Sequence, residues 1–528
     1  MNADYTDQAT AEIVGLPWLL ANLEPVSEYG RLQTQNAPAF AFGQEPPALQ
    51  EIARVARLAA ALTVDDVGVL RGSLERIGDA TGAIASLAVC DVLIDAQFLE
   101  ILAFCDALER IRLRTTSADF PQLPPVQEAL SILAAGRREN GGFYLDDRFD
   151  AALVHKRMEF EKAQAVYDVA RSRVAQRVAA AIAREEIPAG EFILMREIVG
   201  EALPAEIHVV REAPTYFLCE LELDEPALAA LRERDASAQA LAAAEQSVRA
   251  TLCAELQVHV PALQRAAQIL GDIDLLLGKV RFAQRHPGCV PQFSDGALVE
   301  FQDARFLPLL FELEREGRAY VPISLRVEGV AVLSGPNMGG KSVALRTCAF
   351  LVLCASLGLP VPAESAKLVL FREICWLGIG AEEHQTGLLS AFAREVVRLR
   401  DLFARKQEPA LILIDEFART TNPREGRALL LALIGALQRR NVCALIATHL
   451  AGIAESAAVP HFAVRGLRQL PAGTSPSSLG EALALLAASM DYTITEVPEN
   501  AAPSADAIAL AEILGLDHEL IAGARKAL

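Results

Sequence analysis

From Asp150 to about Arg184 the chain carries neither glycine nor proline, and Val166, Ala170, Val174, Val178 and Ile182 recur at every fourth position. That spacing predicts one long helix with an apolar face. A second long pattern, from about Leu228 to Leu277, repeats Val248, Leu252 and Leu256 at the same interval, with Pro261 as its expected kink. Between the two, EIHVV and TYFLCELEL are strand-like runs set among Pro188, Pro204, Pro214 and Pro226. They predict a small β-containing lobe over 185–227 at the tip of a helical arm. Upstream, Ala/Leu/Ile-rich stretches around 49–62, 64–77, 80–90 and 92–114 read as a helical bundle. After Pro287 the character changes to short strand-like runs and then to helices alternating with the compact apolar runs LVLF, LILIDE and CALIATH. Runs of that kind belong to a largely parallel sheet covered on both faces. The expected organisation is therefore a helical core over 1–149, an arm with its lobe over 150–286, an α/β domain over 287–470, and a strand and helices over 471–528 that complete or flank it.

Composition narrows the function classes. Forty-nine Lys and Arg against 68 Asp and Glu leave a net charge of −19 over 528 residues, which disfavours long-range attraction to nucleic acid or an anionic membrane. Residues 1–100 hold 14 acids and 5 bases, and residues 185–235 hold 13 and 4, so neither is a basic platform for phosphates. Nine cysteines lie without any CxxC spacing, as expected of reduced thiols in a cytoplasmic protein. No run of about 18 apolar residues occurs to span a membrane, and the first residues lack the basic start of a secretory signal.

The chemistry concentrates in one stretch. Gly335-Pro336-Asn337-Met338-Gly339-Gly340-Lys341-Ser342 satisfies GxxxxGK[ST] between the run VAVLS and an apolar helix. Its glycines let backbone N–H groups converge on phosphates, the helix start adds positive potential, Lys341 adds a charge, and the Ser342 hydroxyl suits magnesium. Further on, Leu411–Ile414 lead into Asp415 and Glu416. Asp415 is expected to hold magnesium, and Glu416 to orient and polarise the attacking water. A later strand ends in Thr448-His449, where His449 could reach the γ-phosphate or the water.

These motifs resemble the MutS family: LSGPNMGGKS is similar to its P-loop, with Val343 where the family has Thr, and LGIGAEEHQTGLLSAFAREV, LILIDEFARTTNPREG and ATHL continue the likeness. The resemblance implies an ABC-type ATPase with ATP and Mg2+ as ligands, a preceding all-α core, lever helices and a clamp-like lobe. It also implies two nucleotide sites completed across a homodimer or heterodimer. Ser390, with Phe392 and Glu395, would belong to the segment that reaches the partner's γ-phosphate, although Ala391 stands where the family usually has Thr. Tyr320 matches a position where a ring would stack on adenine.

Against the mismatch-repair members, a mismatch-binding and a connector domain before the helical core, and an Smr-type nuclease domain after residue 528, are expected to be absent. Ala418-Arg419-Thr420-Thr421 also replaces the usual Gly-Arg-Gly-Thr. Three functions stay open: an ATP-gated binder of mismatched or branched DNA; an ATP-driven remodelling factor, as the DEFARTTNP segment resembles MutS-related proteins encoded with adenosylcobalamin-dependent lysine or ornithine aminomutases; and a nucleotide-dependent scaffold dimer.

Overall fold

The computed structural model describes residues 5–35, 39–138, 141–199, 203–336, 339–378, 391–405, 409–419, 421–467, 479–498 and 506–527. Its contacts gather into two compact units, one of Met1–Glu75, Ser117–Pro121 and Leu270–Leu528, the other of Arg76–Thr116 and Gln122–Ile269. Residues 1–149 contribute to both units.

In the second unit the helices Ala151–Ala181 and Glu225–Gln257 pack along each other. Each begins on an aspartate cap: Ala152 N donates to Asp150 Oδ1 at 2.8 Å, and Ala227 N to Asp224 Oδ1 at 3.1 Å, satisfying amides that no helix turn can reach. Of the apolar stripe expected on the first helix, Val174, Val178 and Ile182 are buried while Val166 is exposed. A strict four-residue repeat advances about 40° per step past a 3.6-residue turn, so four steps carry Val166 well around the helix from Ile182. The second long pattern is two helices rather than one kinked helix, Glu225–Gln257 and Val260–Arg285. Pro261 falls in the first turn of the latter, where its missing N–H costs nothing.

Three antiparallel strands lie between the long helices in sequence, in the order Phe192–Met195, Tyr216–Leu221, Ile207–Glu212. Phe192, Leu194, Ile207, Phe217 and Cys219 bury one face of this sheet against Val178, Ala179 and Ile182.

The first unit is built on a six-stranded sheet ordered Met490–Glu496, His461–Leu467, Val330–Ser334, Val442–Ala447, Ala410–Asp415, Glu373–Gly378. All neighbours are parallel except the edge strand Met490–Glu496. Strands Ala410–Asp415 and Val442–Ala447 are buried along their whole length, which is why they read as unbroken apolar runs. One face packs on the helix Lys341–Ser356 and on Val14, Leu16, Leu19 and Leu23 from the chain start. The other packs on the helices Ala391–Arg405 and Pro423–Leu437. The chain start is also tied to the sheet's edge, since Ile374 N donates to Tyr5 O at 3.0 Å and Trp376 N to Thr10 Oγ1 at 3.1 Å. A four-stranded sheet, Gln292–Phe293, Ser365–Leu368, Leu298–Ala304, Ile323–Glu328, completes this unit's sheets among the described residues. All nine cysteines are free thiols. Among the described residues no helix is long and apolar enough to cross a membrane.

Candidate functional site

Strand register alone assembles the site. Asp415 pairs with Ala447, and Ala447 with Leu333, so the carboxylate pair, the Thr448-His449 turn and the start of the P-loop share one edge of the sheet. Main-chain bonds lock this edge: Glu416 N donates to Ala447 O at 3.0 Å and Thr448 N to Leu333 O at 3.1 Å. In an open parallel sheet this carboxyl edge is where ligands bind.

The loop that leaves Val330–Ser334 needs its glycines. Gly335 has φ +143°, and a Cβ there would stand 3.1 Å from Val464 Cβ; Gly340, the left-handed cap of the helix Lys341–Ser356, has φ +93°. Lys341 is buried and its Nζ donates to Gly335 O at 2.7 Å and Pro336 O at 3.0 Å. Burial pulls its pKa below the ordinary lysine value, opposed by the nearby charges of Glu416 and Asp415.

Asp415 is buried, and that burial raises its carboxyl above the usual range; the hydrogen bond from Ser342 pulls the other way, Glu416 adds to the rise, and Arg346 and Lys341 oppose it. Hydroxyl and carboxylate thus stand together, an oxygen donor pair of the kind magnesium takes. Glu416 and Ala418 both have φ +58°, a left-handed conformation costing non-glycine residues about 1–2 kcal/mol each. Two interactions hold this turn: Ala418 N donates to the buried Glu395 Oε2 at 3.0 Å, and Arg419 Nη1 stands 3.8 Å from Glu416 Oε2. His449 is exposed beside it, after Thr448 Oγ1 has accepted from Leu450 N at 3.1 Å.

The structure therefore brings Gly335, Pro336, Gly339, Gly340, Lys341, Ser342, Asp415, Glu416 and His449 to one edge, with Val343 half-buried on the helix that follows. Asn337, Met338 and Ser390 lie outside the described residues. Tyr320 stands against the same helix, but its hydroxyl is committed: it accepts from Phe306 N at 2.8 Å and shares a hydrogen bond with Thr347, and burial pushes its pKa up. The sequence reading did not single out Tyr492, whose ring Cδ1 would lie 3.2 Å from a Cβ on Gly340. Its only signal is an aromatic in an alternating run; the pairing of Met490–Glu496 with His461–Leu467 is what carries it to the P-loop. Arg346, one turn beyond Ser342, has its Nε buried without a hydrogen-bond partner and its charge within reach of Asp415.

The family model described as MutS domain V matches residues 331–527. Among curated proteins, Endonuclease MutS2 of Carboxydothermus hydrogenoformans is 32% identical over 203 residues, covering 38% of this chain and 25% of that protein. Endonuclease MutS2 of Pelotomaculum thermopropionicum is 30% identical over 228 residues, covering 42% and 28%. The protein of the same name from Agathobacter rectalis is 27% identical over 208 residues, covering 39% and 25%. The matched stretch spans about a quarter of the length of these relatives.

Proposed function

From the likeness to the MutS family that the domain V match over residues 331–527 and the relatives carry, we propose that this chain binds ATP with magnesium and hydrolyses it to ADP and phosphate, working as a nucleotide-gated dimer. The observation that carries the reading is the sheet edge where the P-loop, Asp415-Glu416 and Thr448-His449 meet, with Ser342 hydrogen-bonded to Asp415. The P-loop amides and the helix start at Lys341 hold the β- and γ-phosphates. Lys341 Nζ exchanges the carbonyls of Gly335 and Pro336 for phosphate oxygens, whose negative charge opposes the lowering that burial imposes on its pKa. Ser342 Oγ and the Asp415 carboxylate are the residues that would hold magnesium, which when bound neutralises charge on the phosphate oxygens. Glu416 orients the attacking water and takes its proton, with Arg419 steadying its carboxylate and His449 facing the γ-phosphate. Tyr492 lines the P-loop at Gly340, where its ring would pack on the nucleotide.

Lys341→Ala tests the assignment: ATP affinity should be lost with hydrolysis, and unchanged nucleotide binding would refute it. The dimer, completed by the segment around Ser390, is tested by solution mass, which should rise with ATP when hydrolysis is blocked; persistent monomers at saturating ATP would sink that part.

What the ATPase drives is a separate question. Thirteen acids against four bases over 185–235 favour a protein load, since phosphates entering the lobe would be repelled within ~8–10 Å. An aminomutase as that load rests on the Asp415–Pro423 resemblance alone. DNA is the second reading, supported by the relatives' name, endonuclease; mismatch-specific binding tighter than ~10⁻⁷ M at about 0.15 M salt would restore it.

A further inference from the structure

Among the described residues, the outer face of the three-stranded sheet carries exposed apolar side chains. Its inner face is filled by Phe192, Leu194, Ile207, Phe217 and Cys219, so alternation along the strands sends Ile193 and Met195 outward. There Ile193 pairs with Leu218 and Met195 with Tyr216. Ile193 is 48% exposed and Met195 45%, and Val210, at the register shift of the next strand, is 43% exposed. Ile193 and Met195 on one edge strand and Val210 on the other flank the half-buried Tyr216 and Leu218 of the central strand, and exposed apolar side chains on so small a sheet mark a contact surface more than a solvent face.

The rim is predominantly acidic, although Arg211, opposite Leu218, is exposed and Arg184 donates to Ile193 O. Residues 185–227 hold eleven Asp and Glu against two Arg, and of those arginines Arg196 is already taken by Glu212, with its guanidinium 4.2 Å over the Phe217 ring. Glu220, opposite His208 near the end of the central strand, and Glu222 just beyond that strand are both exposed. Strands about 4.8 Å apart make a three-stranded face roughly 10 Å wide, the diameter of one helix. The four residues Phe192–Met195 extend about 13 Å, room for roughly nine helical residues.

We infer that this face docks a short amphipathic helix of a protein partner, with apolar residues on Ile193, Met195 and Val210 and Lys or Arg flanks on the acidic rim. The inference deepens the protein-load reading and rests on it. Apolar burial supplies affinity, and the rim selects against acidic helices and nucleic acid through repulsion.

The probe is a labelled helical peptide of about twelve leucines and lysines, titrated with the full chain at about 0.15 M salt. Binding should weaken about tenfold or more in Ile193→Ser/Met195→Ser and in Glu220→Lys, yet persist in Val166→Ser/Val169→Ser, which alters an exposed apolar pair on the helix Ala151–Ala181. A glutamate version of the peptide should not bind. Because Glu220→Lys leaves the apolar residues in place, it decides the matter even if the double variant folds poorly. Equal binding by wild type and both face variants would overturn the inference. A DNA duplex bound tightly by the wild type and lost in the same variants would also overturn it, and would bring down the protein-load reading with it. With duplex binding weak, unchanged peptide binding would sink the docking face alone.

Discussion

Glu395 offers the sharpest test of how the turn carrying Glu416 is held. Its Oε2 accepts from Ala418 N at 3.0 Å, and both residues are buried. Glu395→Ala leaves that amide without this acceptor in a place water does not reach, a cost of about 1–3 kcal/mol. Since Glu416 and Ala418 are both held at φ +58°, the cheapest relaxation is for the turn to leave its strained conformation and take the Glu416 carboxylate with it. At about 1.4 kcal/mol per tenfold, loss of that positioning in the transition state lowers kcat by roughly 5- to 150-fold. The KM for ATP should move little, because the P-loop is untouched. Glu395→Gln keeps an oxygen acceptor and should recover most of the rate. The assay is steady-state ATP hydrolysis by the three proteins, with thermal melting alongside. An alanine variant that melts lower but keeps kcat within twofold of wild type would refute the reasoning, because the bond would then serve folding only. A glutamine variant as slow as alanine would show that charge, not the acceptor, matters.

Burial raises the Asp415 pKa above its ordinary 3.8, so ionising it costs the nucleotide-free protein stability as pH climbs from that value through the raised one. Asp415→Asn removes this penalty, and at neutral pH the variant should melt higher while losing magnesium-dependent hydrolysis; melting curves across pH check the sign, and a lower melting point at neutral pH would contradict it. Tyr492→Ala should weaken ATP binding by about 2- to 13-fold, the equivalent of about 0.5–1.5 kcal/mol of ring packing, with Tyr492→Phe unaffected; titration with a fluorescent ATP analogue reads both.

The parts of the site that sequence made legible are those written contiguously. A P-loop lies within eight residues between a strand and a helix, and the Asp415-Glu416 pair follows four apolar residues because a strand buried on both faces has no room for polar ones. What stayed hidden depends on long-range pairing. Tyr492 reaches Gly340 only because Met490–Glu496 adds antiparallel to the sheet. The Glu395 contact with Ala418 joins a helix and a turn whose sequences carry no mutual signal. The first residues read as part of a helical bundle, yet they fill the core under the P-loop helix, because amphipathic periodicity says that a face is buried but not against what. The break at Val258 and His259 reads from the sequence as a kink at Pro261 for a related reason: proline is compatible with either, and only the helix start at Val260 decides between them.

The central claim is that Glu416 activates water against an ATP held by Lys341, Ser342 and Asp415. Single-turnover hydrolysis of bound ATP by Glu416→Gln measures it most directly. The account predicts that the variant retains ATP affinity and magnesium dependence of binding while hydrolysis slows by ~10²-fold or more, the loss expected when a positioned base is removed. Hydrolysis at the wild-type rate in that variant would contradict it.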